Sequence, residues 1–166
     1  MAMKPDRIEL DLVDQDGGAF TIGHLAGCRS LVYFGFLHCR GVCPRSLAKL
    51  ADIMAGLGPA RDGFRVLYIT VDPERDTPEA MKTFLSARYP DFTGLTGPRP
   101  AIDRAKASMK AFARRAEDPD DPDGYAMPHT ALIYLIDDQG RYLAHFPDTC
   151  DAATIVNRLT AATPPF

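Results

Sequence analysis

An apolar run from Leu31 to Phe36 stops at a loop that holds two cysteines, Cys39 and Cys43, and Pro44 then opens a stretch of helical spacing. No other stretch limits the fold as strongly. Arg29 to Gly35 has the near-continuous apolar character of a strand buried on both faces. Leu47, Leu50, Ala51, Met54 and Leu57 recur at helical spacing, Pro44 suits a first helical turn, and Gly56, Gly58 and Pro59 stop the helix. Phe64 to Val71 (FRVLYITV) is a second apolar, β-branched strand. Strand, helix and strand make a right-handed βαβ unit with parallel strands. That unit sets two thiols over a helix N-terminus at the carboxyl end of a strand, where open α/β sheets carry their chemistry.

The remaining elements build around this unit. Ile8, Leu10 and Leu12 alternate with acidic residues, and Asp16-Gly17-Gly18 turns the chain back into Ala19 to Ile22, which predicts an N-terminal β-hairpin. Thr77-Pro78-Glu79 is an N-cap followed by a proline start, for a helix that runs to about Tyr89. Phe92 to Gly97 reads as a short strand. Ala101 to Ala116 reads as a helix with Ile102, Ala105, Met109, Phe112 and Ala113 on one side. Glu117 to Gly124 holds five acidic residues and two prolines, the composition of a solvated, mobile loop. His129-Thr130 then leads into an apolar strand from Ala131 to Ile136. Asp137 to Gly140 turns it back into an antiparallel partner, Arg141 to Phe146, and Asp151 to Ala162 closes the chain as a helix. The sum is an α/β fold, a thioredoxin-like three-layer sandwich: a mixed central sheet, helices on both faces and an added N-terminal hairpin.

The 166 residues, 46% of them hydrophobic, suffice for one domain spanning 1–166 with a core that needs no covalent staples. A net charge of −3 argues against nucleic acid as a main partner. No stretch reaches the roughly 20 apolar residues of a membrane-spanning helix. Met1 to Pro5 carries a charge with no apolar segment behind it, so the chain is either cytosolic or the part of a longer protein that follows an anchor or signal. Cys28 and Cys150 are either bonded to each other or independent thiols, and four cysteines are too few for a disulfide scaffold.

Cys39 and Cys43 have C-x₃-C spacing. A helix N-terminus favours an anion, so it lowers a thiol pKa and makes thiolate accessible near neutral pH. Thiolate is both the nucleophile of disulfide exchange and a ligand for soft metals, so the pair alone fits two functions. His129 supplies a third group if its strand neighbours the first one. Two thiolates and one imidazole suit copper, the monovalent ion especially, whereas zinc would want a fourth ligand. Taken alone, His129 fits a loop histidine bonded to backbone better than a ligand; the cysteine pair reverses that order. His38 and Met127 read as structural or packing residues, and His24 and His145 carry no functional reading.

Gly35 to Pro44 (GFLHCRGVCP) resembles the copper-site loop of the Sco/SenC family, thioredoxin-fold copper proteins of cytochrome c oxidase assembly. Val71 to Glu79 (VDPERDTPE) resembles that family's second signature, and Gly94 to Gly97 and His129 also match in order. The resemblance implies Cys39, Cys43 and His129 as ligands of copper, as Cu(I) or Cu(II). It also implies a monomer tethered on the periplasmic side of a bacterial inner membrane or in the mitochondrial intermembrane space. Its expected partner is the copper-site subunit of the oxidase or another copper chaperone. Arg40-Gly41 departs from the family's usual Pro-Asp; a cation there stabilises thiolate and opposes a second cation. Thr130 stands where serine is common. Asp72 is read in two ways, as a partner of the ligand loop or docking contact for the copper recipient, or as part of a turn held by ion pairs among Asp72, Arg75 and Asp76. Two functions follow: a copper metallochaperone, or a thiol-disulfide oxidoreductase that uses the same cysteines to keep the oxidase's copper-ligand thiols reduced. A peroxide-reducing enzyme is a weaker third, because no resolving-cysteine arrangement stands beyond this pair.

Overall fold

A computed structural model describes residues 7–37, 42–111, 116–117, 125–126, 132–147 and 149–161; for 42–44, 116–117 and 125–126 it describes the backbone alone. Nine strands and four α-helices are present among them: β1 Asp11–Asp14, β2 Ala19–Thr21, β3 Arg29–Gly35, α1 Val42–Gly56, β4 Phe64–Thr70, α2 Pro78–Arg88, β5 Thr93–Thr96, α3 Arg99–Ser108, β6 Ala116–Glu117, β7 Tyr125–Ala126, β8 Leu132–Ile136, β9 Tyr142–Pro147 and α4 Ala152–Leu159. Seven strands form one sheet in the order β2-β1-β5-β4-β3-β8-β9.

The expected βαβ unit is the centre of this sheet. β3 and β4 run parallel in register from Arg29 opposite Phe64 to Gly35 opposite Thr70. β5 continues the parallel set beside β4, and β8 is antiparallel to β3. The N-terminal hairpin joins through β1 against β5. Residues on alternate sides of the strands feed two apolar layers, as the period of two requires. Leu31, Tyr33, Val66, Tyr68, Ile133 and Leu135 pack under α1, α2 and α4, meeting Leu50, Ile53, Leu85 and Ile155. Val32, Phe34, Leu67, Ile69 and Tyr134 face Ile102 and Ala105 of α3 and the N-terminal residues Leu10, Leu12 and Phe20. The three-layer mixed α/β architecture is therefore as expected.

Several boundaries differ from the sequence reading, among them α4, which ends at Leu159 and not Ala162. Ile8 and Leu10 are buried but precede the strand, which begins at Asp11. Helix α3 ends at Ser108, not Ala116. Lys110 takes a left-handed φ of 55°, its N–H donates to the Ala107 carbonyl (3.1 Å) and the Ala111 N–H reaches back to the Lys106 carbonyl (2.8 Å). This pair of bonds is a Schellman ending, which glycine usually makes. Downstream, Ala116–Glu117 pairs antiparallel with Tyr125–Ala126, so Glu117, read as loop, lies in a two-stranded ribbon. Phe112 and Ala113, and residues 118–124 of the acidic loop, lie outside the described residues.

Candidate metal centre

The parallel strands β3 and β4 finish at the same end of the sheet. β8 is antiparallel to β3, with Ile133 opposite Tyr33 and Ile136 opposite Ser30, so β8 begins at that same end. Cys39 follows β3 in sequence and His129 precedes β8; both lie outside the described residues, as do His38, Arg40, Gly41, Met127 and Thr130. Cys43 is the second residue of α1, whose first turn holds backbone N–H groups without intrahelical acceptors. Its side chain lies outside the description. The condition set for His129, that its strand neighbour the first core strand, is met in the backbone.

The described part of this end is the loop leaving β4. The ladder extends one step past the strands, since Val71 N–H donates to the Gly35 carbonyl at 2.8 Å. Asp72 then starts a tight turn: its carbonyl accepts from Arg75 N–H (3.2 Å) and Asp76 N–H (2.9 Å). The Asp72 carboxylate is 1% exposed and accepts from Arg75 Nε at 2.5 Å. The Arg75 guanidinium lies 5.8 Å from the centre of the Phe36 ring, which belongs to the chain leaving β3. Asp76 is fully buried. One of its oxygens, Oδ2, accepts both the Leu37 N–H (3.1 Å) and the Thr70 hydroxyl (2.6 Å). Thr70 Oγ1 in turn accepts from Asp72 N–H at 2.9 Å. Arg99, at the head of α3, donates to the Val71 carbonyl at 3.0 Å and pairs with Glu74. Thr77 caps α2 by accepting from Ala80 N–H at 3.2 Å, as its place before Pro78 predicts.

This geometry sorts the earlier readings. Asp72 is buried and ion-paired with Arg75. Asp76 was read only as an ion-pair member; it bridges to Thr70 and to the main chain of Leu37. Arg99 was not singled out, because nothing in its local pattern points to a loop 28 residues away. The possible bond between Cys28 and Cys150 is not formed; both are free. Cys28 precedes the first residue of β3, whereas Cys150 follows β9 at the other end of the sheet, where Pro147 opposes Leu132. The Cys28 thiol faces the Asp62 carbonyl at 3.6 Å. His24 Nδ1 accepts from Thr21 N–H at 3.0 Å, a local structural role. His145 bonds the Tyr142 hydroxyl. Tyr142 stands edge-on to Tyr134 of β8, whose hydroxyl is pushed up to about 12 by burial and, secondarily, by Tyr142. Among the described residues no group of three or more His, Cys, Asp or Glu side chains is arranged to hold a metal.

The model of the SCO1/SenC family matches residues 5–163. The chain belongs to the SCO1/SenC family. A SCO2-like protein of Rickettsia conorii is 40% identical over 138 residues, 83% of this chain and 67% of that one, so the chain spans about two thirds of that relative's length. ScoI of Bradyrhizobium japonicum, solved with copper bound, is 36% identical with a TM-score of 0.82, covering 92% of this chain and 96% of that one. BsSco, described as having a disulfide switch and as a member of the Sco family of cytochrome c oxidase assembly proteins, is 25% identical with a TM-score of 0.71, covering 95% and 92%. The overall fold thus matches that of solved Sco proteins. Among the described residues no helix is long and apolar enough to cross a membrane.

Proposed function

We propose that this chain is a single-domain copper chaperone of cytochrome c oxidase assembly, holding one copper ion as cargo through Cys39, Cys43 and His129. The observation that carries the reading is the adjacency of β3 and β8, which attaches the cysteine loop and the histidine segment to one end of the sheet. Two thiolates and an imidazole make a soft set suited to Cu(I). A loop beyond the strand ends leaves the ion within reach of a docked recipient, so transfer proceeds by exchange of one ligand at a time. The recipient is the copper-site subunit of the oxidase or a second chaperone. The chain acts as a monomer on the periplasmic side of a bacterial inner membrane or in the mitochondrial intermembrane space, tethered in the whole protein.

A second reading keeps the same cysteines and drops the metal: Cys39 and Cys43 cycle between dithiol and disulfide, as a thiol-disulfide oxidoreductase for the oxidase's ligand thiols. The disulfide switch described for BsSco favours it. Titration of the reduced protein with Cu(I) against a competing chelator separates the two. One copper per chain is expected, with binding strongly weakened in His129→Ala and in Cys39→Ser. Equal, poor binding by the parent and His129→Ala, with disulfide exchange still fast, sinks the chaperone reading.

A further inference from the structure

We propose that Asp76 is a positioning residue that fixes the main chain entering the cysteine loop, and that it thereby sets copper affinity and the redox potential of the Cys39–Cys43 pair. The inference rests on the function proposed above. A carboxylate whose only task was to shape the turn after β4 would sit at the rim with water as a partner. Asp76 is instead fully buried and reaches across 39 residues of sequence to the Leu37 N–H. The same oxygen takes the hydroxyl proton of Thr70, the last residue of β4, and that hydroxyl oxygen takes the Asp72 N–H. Two buried side chains therefore join three points of the main chain: the exit of β3, the end of β4 and the turn that follows it. Both donors address one carboxyl oxygen, so a single side chain serves two strands.

The consequence for the loop follows from chain length. Leu37 is held by Asp76, and helix α1 begins at Val42, so only residues 38–41 lie between two fixed points. Cys39 is two residues beyond the first of them, within about 7 Å of Leu37 along the main chain. Freeing Leu37 moves the last fixed point of the main chain further from α1 on the side that carries Cys39. A ligand set, or a disulfide, made by a looser loop costs more ordering each time it forms.

Asp76→Asn keeps the shape and one acceptor oxygen but replaces the other oxygen with an amide donor. Thr70→Val removes the hydroxyl at nearly constant volume, and Thr70→Ser retains it. Cu(I) affinity by chelator competition, the midpoint potential of the cysteine pair in a glutathione redox buffer, and hydrogen exchange at the Leu37 amide are measured on each, together with thermal stability. Asp76→Asn and Thr70→Val are expected to weaken Cu(I) binding roughly tenfold, the equivalent of one hydrogen bond. They should also shift the potential and speed Leu37 exchange, with Thr70→Ser matching the parent. Lower melting temperatures with unchanged affinity and potential overturn the proposal and leave Asp76 a structural residue. If Asp76→Asn does not fold, the Thr70 pair decides alone. If the parent binds no Cu(I), the function proposed above fails, while the potential and the Leu37 exchange still decide the role of Asp76.

Discussion

Removing either partner of the Asp72–Arg75 pair should destabilise the protein far more than removing both. The Asp72 side chain is 1% exposed and that of Arg75 is 9% exposed, with Nε and Oδ2 2.5 Å apart. Charge centres about 4 Å apart attract by about 4 kcal/mol at an effective dielectric constant near 20. Asp72→Ala removes the carboxylate that the guanidinium beside the Phe36 ring faces at 2.5 Å. Arg75→Met removes that cation from a carboxylate with almost no access to water. Each is expected to cost about 3–5 kcal/mol, the usual range for breaking a buried pair. For a chain of this size that lowers the melting temperature by on the order of 10 °C. In the double variant the apolar methionine replaces the guanidinium beside Phe36 and no unpaired charge remains from this pair, so most of the loss is recovered. Urea unfolding of the four proteins gives the coupling directly, as the difference between the double variant and the sum of the singles. Additive losses, with coupling below about 0.5 kcal/mol, would refute the view that these two charges hold the turn together. They would point instead to the backbone bonds from the Asp72 carbonyl as its support.

Lys110→Gly is expected to stabilise by about 0.5–1 kcal/mol, because Lys110 holds a left-handed φ of 55° at the end of α3; chemical denaturation checks it, and a loss of stability contradicts the Schellman account of that ending. Tyr134 gives a pH signature. Its folded pKa of about 12 lies above the ordinary 10.0, so between those values the unfolded chain releases a proton that the folded chain keeps. Stability is therefore full below pH 10 and falls as pH rises towards about 12. Tyr134→Phe should flatten that part of the decline, read from urea midpoints at two pH values, and an unchanged slope would remove Tyr134 from the account.

Much of the architecture could be read from local pattern, because local pattern makes it. The apolar runs at Leu31–Phe36 and Phe64–Val71 are the central strands since only strands buried on both faces read that way. Thr77-Pro78 starts α2 through a cap whose chemistry is contained in the four residues Thr77 to Ala80. The ending of α3 was not legible, because lysine takes the position that glycine normally marks. Glu117 carries a loop-like composition and still pairs in a ribbon, because strand pairing there depends on a partner eight residues on. At the site, the types and spacing of Cys39, Cys43 and the remote His129 pointed to soft-metal or disulfide chemistry. The supports did not show, because Asp76 to Leu37 and Arg99 to Val71 are contacts between residues far apart in sequence. Asp72, Arg75 and Asp76 fell inside a run that stood out as a signature, yet a run of letters does not say which acid meets the arginine and which meets a backbone amide.

The small bridge between Arg7 and Arg141 gives the molecule two poles. Arg141 leads into β9 at the end where β3 begins, and Ile8 N–H donates to the Gly140 carbonyl there at 2.8 Å. The strands β3 and β4 finish at the opposite pole. The chain is held from Arg7 at one pole, and the two strands on either side of α1 run to the other. The length of the central strands, seven residues each, acts as a spacer between the amino-terminal bridge and the end of the sheet where β8 begins.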